Sequence, residues 1–328
     1  MSVASAPSNA NKTMFYEKPI GTKGVKWGES EKRQWFEQQS IKRSYREEVL
    51  AKLEPLKEKF DVIQYGCLSL TVNNYPLFGV RSRNWDNNKK TVLVTGGIHG
   101  YETSGVQGAI RFMETQMSKY DAFNFIVCPC VCPWGYETIN RWNSDAVDPN
   151  RSFVFPNTPE NNDKKIEETT FLIDFVNSLS ADPDRKVDII MHIDLHETTD
   201  TDVTTFGPAL AARDGIAVEE TTIPDGFYLV GDSDRTTSAF LQAIIDGVSA
   251  VTHLVPESES LLGEPVVQRA VLCAPARQLG LCMGLTAAPF VTTTEVYPDS
   301  ATVTDEECTL AQVAAVTSGL DYIISTQL

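Results

Sequence analysis

No apolar run in this chain approaches the roughly 18 to 20 residues that a helix needs to span a bilayer. A helical membrane protein is therefore not expected. Positive charge is also scarce: 28 Lys and Arg against 44 Asp and Glu leave a formal charge of −16. Nucleic acid and anionic membrane both require basic patches, so neither is expected as a partner. Cysteine is present as seven scattered residues, an odd count that does not make a disulfide framework. Residues 1–16 lack the basic start and apolar core of a secretory leader, and no repeat, low-complexity tract or Pro, Gly or Ser-rich linker divides the chain. These absences predict a reduced, soluble, cytoplasmic protein. Its 42% hydrophobic content over 328 residues supplies a sizeable core.

The pattern along the chain divides it into an N-terminal extension, residues 1–60, and a main domain, residues 61–328. Within the extension, residues 28–60 have the charged composition of a solvated helix ending near Pro55. Residues 61–81 alternate like two strands around the turn pair Asn73-Asn74. Further strands are expected at 91–95, 123–128, 187–195 and 289–294, with helices at 104–119 and 164–178 and a closing helix at 305–326. Strands alternating with helices predict an α/β fold, a largely parallel sheet covered by helices on both faces. Such sheets place ligands at the carboxyl ends of their strands.

Two of the four histidines fall at such ends. His99 and Glu102 follow the strand at 91–95, where Gly96-Gly97 lets the chain leave the sheet. An imidazole and a carboxylate three residues apart can turn toward one metal ion. His196 ends the strand at 187–195 and is the candidate third ligand. His192, inside that strand, reads as structural, and His253 as a loop residue. Two histidines, one carboxylate and an open fourth position form a catalytic zinc set, with one zinc per chain, and zinc brings the pKa of a bound water to about 7. Glu295, at the end of the strand at 289–294, enters the same crevice as a candidate general base. Cys128, Cys130 and Cys132 alternate along a strand between prolines and read as buried small hydrophobes rather than a metal site.

Five elements in order resemble the zinc metallocarboxypeptidases of the carboxypeptidase A and B type, particularly their short prokaryotic members. They are His99-x-x-Glu102, Arg141-Trp142-Asn143, Val147-Asp148-Pro149-Asn150-Arg151-Ser152-Phe153, Asp194-Leu195-His196 and Thr294-Glu295. The resemblance runs from about Tyr75 to the C-terminus. It implies a mixed twisted sheet of about eight strands, zinc on His99, Glu102 and His196, and Glu295 as general base and acid in hydrolysis of a C-terminal peptide bond by a metal-activated water. It further implies that Arg141 stabilises the oxyanion, that Asn150 and Arg151 hold the substrate's free carboxylate, and that Asp148 orients His99.

Pro149 and Ser152 depart mildly from the family pattern. The mobile tyrosine of the digestive members has no clear match, Tyr228 being the only tyrosine between Glu197 and Glu295. The stretch expected to build the side-chain pocket, residues 269–294, contains no acid but does contain Arg269 and Arg277, which suggests an acidic terminal residue. The substrate is expected to be a peptide or an amino-acid conjugate. Two alternatives share the metal set or the fold. One is a deacylase of N-acyl amino acids resembling aspartoacylase or succinylglutamate desuccinylase, against which the short stretch after Glu295 argues. The other is a peptide-binding protein that has lost catalysis.

Overall fold

The computed structural model describes residues 20–70, 75–154, 165–218, 221–235 and 237–328. Ten strands form one mixed sheet: β1 (Phe60–Leu68), β2 (Tyr75–Ser82), β3 (Lys90–Gly96), β4 (Phe123–Cys128), β5 (Ile189–Glu197), β6 (Tyr228–Asp232), β7 (Ser260–Leu261), β8 (Glu264–Gln268), β9 (Val271–Ala274) and β10 (Phe290–Val296). Their spatial order is β1-β2-β4-β3-β5-β10-β6-β9-β8-β7. The central run β4-β3-β5-β10 is parallel, and antiparallel pairs close both sides of it.

This is the expected α/β architecture, with additional short strands at one edge. β3, β4 and β5 are buried along almost their whole length, as their continuous β-branched and aliphatic sequences require of strands covered on both faces. The closing helix Asp305–Gln327 starts at a Thr304 capping box and packs on the helices Thr103–Thr115 and Ser238–Val248 over one face. The helix Glu167–Ala181 covers part of the other face, where Phe175 stacks on Tyr65 of β1 at 4.9 Å. The turn pair Asn73-Asn74 lies outside the described residues.

Residues 28–60 are not one helix. A helix at Glu29–Glu37 gives way to an extended stretch, then to helical turns at Arg46–Leu50, Ala51–Leu53 and Pro55–Glu58. Tertiary bonds favour the break, because the backbone N–H groups of Lys42 and Arg43 donate to the Glu137 carbonyl at 2.8 and 3.2 Å. Trp35 is fully buried against Trp134 and Trp142, with ring centroids 5.7 and 5.5 Å away. Burying one such side chain stabilises by about 2–3 kcal/mol.

Candidate metal centre and active site

The site forms where three adjacent parallel strands end. β3 leads into His99, β5 carries His196, and β10 carries Glu295, whose register partner on β5 is His196 itself. Between β3 and its helix, Gly97 adopts φ +60°, a conformation that favours glycine. Gly100 lies so close to its neighbour that a Cβ there would stand 2.0 Å from the Gly135 carbonyl carbon. The loop is thus pressed onto the backbone below it, and His99 and Glu102 turn inward together.

His99, Glu102 and His196 are buried, and one ligand atom of each lies within 4.8 Å of the other two. Among the described residues this is the only such group of three or more His, Cys, Asp or Glu side chains. His99 Nδ1 sits 2.7 Å from Glu102 Oε1, and His196 Nδ1 sits 2.8 Å from Glu102 Oε2. The far nitrogens are held by other acids: His99 Nε2 is 2.9 Å from Asp148 Oδ1, and His196 Nε2 is 2.7 Å from Asp194 Oδ2. Each imidazole therefore turns its Nδ1 to a common point, the orientation that carboxylate partners impose on metal-binding histidines.

A cation fits this point. Glu102 Oε2 is fully buried yet makes no aligned hydrogen bond, and a buried orphan oxygen is costly unless something positive meets it. Burial pushes the Glu102 carboxyl up, but His196 and His99 outweigh it and bring it down to about 2. Burial opposes charge on His196 as well, yet Asp194 and Glu102 raise its pKa well above the ordinary imidazole value.

Behind these groups lies a buried network. Thr95 Oγ1 donates to Asp194 Oδ1 at 2.6 Å and lies 3.1 Å from His192 Nε2 and 3.5 Å from Cys282 Sγ. Burial lowers His192 to about 4, so it stays neutral and outside the ligand group, as its position inside the strand predicts. His253 lies outside the ligand group and bonds Asp225 at 2.8 Å. Cys128, Cys130 and Cys132 are buried free thiols whose pKa values burial drives upward.

Glu295 is half-buried beside the ligand group, and the loss of water around it pushes its carboxyl up to about 7 against the opposing pull of His196. Thr198 Oγ1 donates to Glu295 Oε2 at 2.8 Å and meets the Tyr228 hydroxyl at 2.7 Å. Tyr228 faces Glu295 in the β6–β10 register. Arg141 is fixed by Asp148 through Nε at 3.1 Å and by Asp202 through Nη1 at 3.0 Å. Its loop is bounded by Ile139 and Ala146, both at positive φ, and is tied by Asn143, whose Oδ1 accepts from the N–H groups of Asp145 and Val147. The short turn Pro149–Arg151 is capped by Asp148, which accepts the Asn150 N–H at 2.9 Å. Asn150 Oδ1 accepts from Cys282 N at 2.7 Å, which pins its side chain beside His196.

A cavity of about 520 Å³ includes His99, Glu102, Glu295, Arg141, Asn150, Arg151 and Tyr228 in its wall. Its lining also includes Val230, Leu272, Ala274, Leu281 and Thr293, with Thr221 and Glu264 among the polar residues. Arg269 and Arg277 are exposed and are not part of that lining. The structure thus brings together the expected ligands His99, Glu102 and His196 with Glu295, Arg141, Asp148, Asn150 and Arg151, but not Arg269 and Arg277. It adds Asp194, Asp202, Thr198 and Tyr228 as partners. Asp194 was open to detection, since residues two apart in a strand share a face. Thr198 reaches the site from a loop and Asp202 from the start of the helical segment Asp202–Phe206, positions that carry no local signature.

A family model described as Zinc carboxypeptidase matches residues 57–207, in agreement with the resemblance carried by the motifs. Solved structures share the fold. A metallopeptidase candidate from Shewanella baltica OS155 has 18% identity and a TM-score of 0.60 over 83% of this chain and 90% of its own. A metallo-carboxypeptidase from Burkholderia cenocepacia has 13% identity and a TM-score of 0.56 over 88% of this chain and 70% of its own. A Pseudomonas aeruginosa metallo-carboxypeptidase, solved with (2-guanidinoethylmercapto)succinic acid, has 15% identity and a TM-score of 0.54 over 85% and 69% respectively. No curated protein matches the sequence significantly.

Proposed function

We infer that this chain, matched by the zinc carboxypeptidase family model, releases the C-terminal residue of a peptide at one zinc ion held by His99, Glu102 and His196. The observation that carries the reading is the cluster of His99, Glu102 and His196 beside a cavity whose wall also holds the half-buried Glu295 carboxyl and the Arg141 and Arg151 guanidinium groups. Zinc bound there supplies a Lewis acid that polarises a carbonyl and activates water at neutral pH.

The chain's own groups supply the rest. Glu295 takes a proton from the attacking water and returns it to the leaving amine, a task suited to a carboxyl whose pKa burial raises to about 7. Arg141, held by Asp148 and Asp202, meets the negative charge that develops on the carbonyl oxygen. Arg151 pairs with the substrate's α-carboxylate, for which a guanidinium offers two parallel donors, and Asn150 lies beside it. Asp148 and Asp194 keep both imidazoles aimed at the metal.

The apolar part of the lining, with Val230, Leu272 and Leu281, supports a preference for an uncharged, apolar terminal side chain. An acidic preference would need Arg269 or Arg277 in that lining. Peptides differing only in the last residue, each with a free or an amidated C-terminus, test both parts. The zinc-loaded protein should release leucine or phenylalanine faster than glutamate or lysine, and amidated peptides should resist. Equal cleavage of amidated peptides, or unchanged hydrolysis by Glu295→Gln, would overturn the assigned roles. Hydrolysis of N-acyl amino acids in place of peptides would identify a deacylase.

A further inference from the structure

The loop that carries His99 and Glu102 is gripped from outside the sheet. The Arg43 guanidinium carbon lies 3.5 Å from the Tyr136 ring centroid. Its nitrogens donate in three directions: Nη2 to the Gly100 carbonyl at 2.8 Å, Nη1 to Thr103 Oγ1 at 2.6 Å, and Nε to the Tyr136 carbonyl at 2.6 Å. Gly100 stands between His99 and Glu102, and Thr103 directly follows Glu102. One planar fork therefore brackets the two ligands.

Arg43 is itself fixed. Its own N–H and that of Lys42 donate to the Glu137 carbonyl, and the Tyr45 N–H donates to Glu137 Oε1 at 2.9 Å. The Tyr136 ring beneath it is tethered at its hydroxyl, which donates to Glu48 Oε2 at 2.6 Å and accepts from Gln107 Nε2 at 2.9 Å. Beyond Arg43, buried Trp35 locks the preceding helix to Trp134 and Trp142. A rigid cation thus holds a carbonyl and a hydroxyl whose positions set the spacing of His99 Nδ1 and Glu102.

We propose that Arg43 is a positioning residue for the metal centre, so that the segment before β1 completes the zinc site from behind without touching the ion. The proposal rests on the reading of His99, Glu102 and His196 as zinc ligands. It requires the directed fork rather than charge alone, and lysine cannot supply three bonds fixed in one plane.

Zinc affinity, measured by competition with a chromogenic chelator, is the readout, and melting of the metal-free protein runs in parallel. Arg43→Ala should weaken zinc binding about tenfold or more, within the range seen when groups supporting metal ligands are removed, at temperatures where the fold is intact. Arg43→Lys should not restore it. Arg83 provides the control, because it joins the carbonyls of Glu58 and Phe60 at 2.8 and 3.0 Å far from the site. Arg83→Ala should lower the melting temperature and leave zinc affinity unchanged. Wild-type affinity in Arg43→Lys, or an equal loss in Arg83→Ala, would overturn the proposal, and the lysine variant decides alone if the alanine variant does not fold. A wild-type chain that binds no zinc would overturn the site reading itself, whereas normal wild-type binding with an unaffected Arg43→Ala would overturn only the role of Arg43.

Discussion

Glu168→Gln should stabilise the metal-free protein at alkaline pH and leave it unchanged in acid. Glu168 lies on the helix Glu167–Ala181, is 2% exposed, and accepts from Asn143 Nδ2 at 3.3 Å. Burial pushes its carboxyl from 4.5 up to about 7. The folded state therefore holds the proton more tightly than the unfolded chain does. Stability from the protonated form is fully present below about pH 4.5 and is lost as pH rises toward 7. At 1.36 kcal/mol per pKa unit, the loss by pH 8 is about 3 kcal/mol. Glutamine keeps an oxygen for Asn143 and carries no charge at any pH. Melting curves of both proteins from pH 5 to pH 8.5, with chelator present, isolate this group because all others titrate alike. The variant's advantage should grow from near zero to roughly 5 °C or more across that range. A difference that stays flat with pH, or a variant less stable than wild type at pH 8, would refute the burial argument.

The same geometry makes further predictions. Asp194→Asn removes the charged partner of His196 Nε2 and should weaken zinc binding about 10- to 100-fold, measured by chelator competition. Gly100→Ala forces a Cβ against the Gly135 backbone, so the variant should lose zinc affinity or fold poorly, with both followed in one titration and melt. Because Glu295 must be deprotonated to act, kcat/KM should rise with pH along an acid limb no higher than about pH 7, since a bound cation moves that limb downward. Glu295→Gln should abolish turnover while its zinc content, read by atomic absorption, stays at the wild-type level.

What could be read from the sequence follows the range of the interactions involved. β3, β4, β5 and β10 are strands of six to nine residues rich in β-branched and apolar side chains, and the ends of β3, β5 and β10 mark His99, His196 and Glu295 in the sequence. The edge strands β7, β8 and β9 have two to five residues, with Leu262 and Ala270 at positive φ between them. Runs that short show no period, so the part of the cavity wall that they build is not legible in the sequence, which instead offers Arg269 and Arg277, both outside the lining. Arg43 and Asp202 act across 57 and 61 residues to Gly100 and Arg141. Such contacts depend on tertiary packing, which outweighed the helical composition of residues 28–60 and opened the break that carries Arg43. Asp194 is the exception, a partner visible in the alternation of β5 and assigned only when its distance to His196 was known.

Crystals of the protein grown with zinc, measured on both sides of the zinc absorption edge, test the central claim most directly. One anomalous peak per chain is expected at the point shared by His99 Nδ1, Glu102 and His196 Nδ1, about 2.0 to 2.2 Å from each ligand, with Glu295 and Arg141 facing it across the cavity. No peak there, or a peak held by other residues, would contradict it.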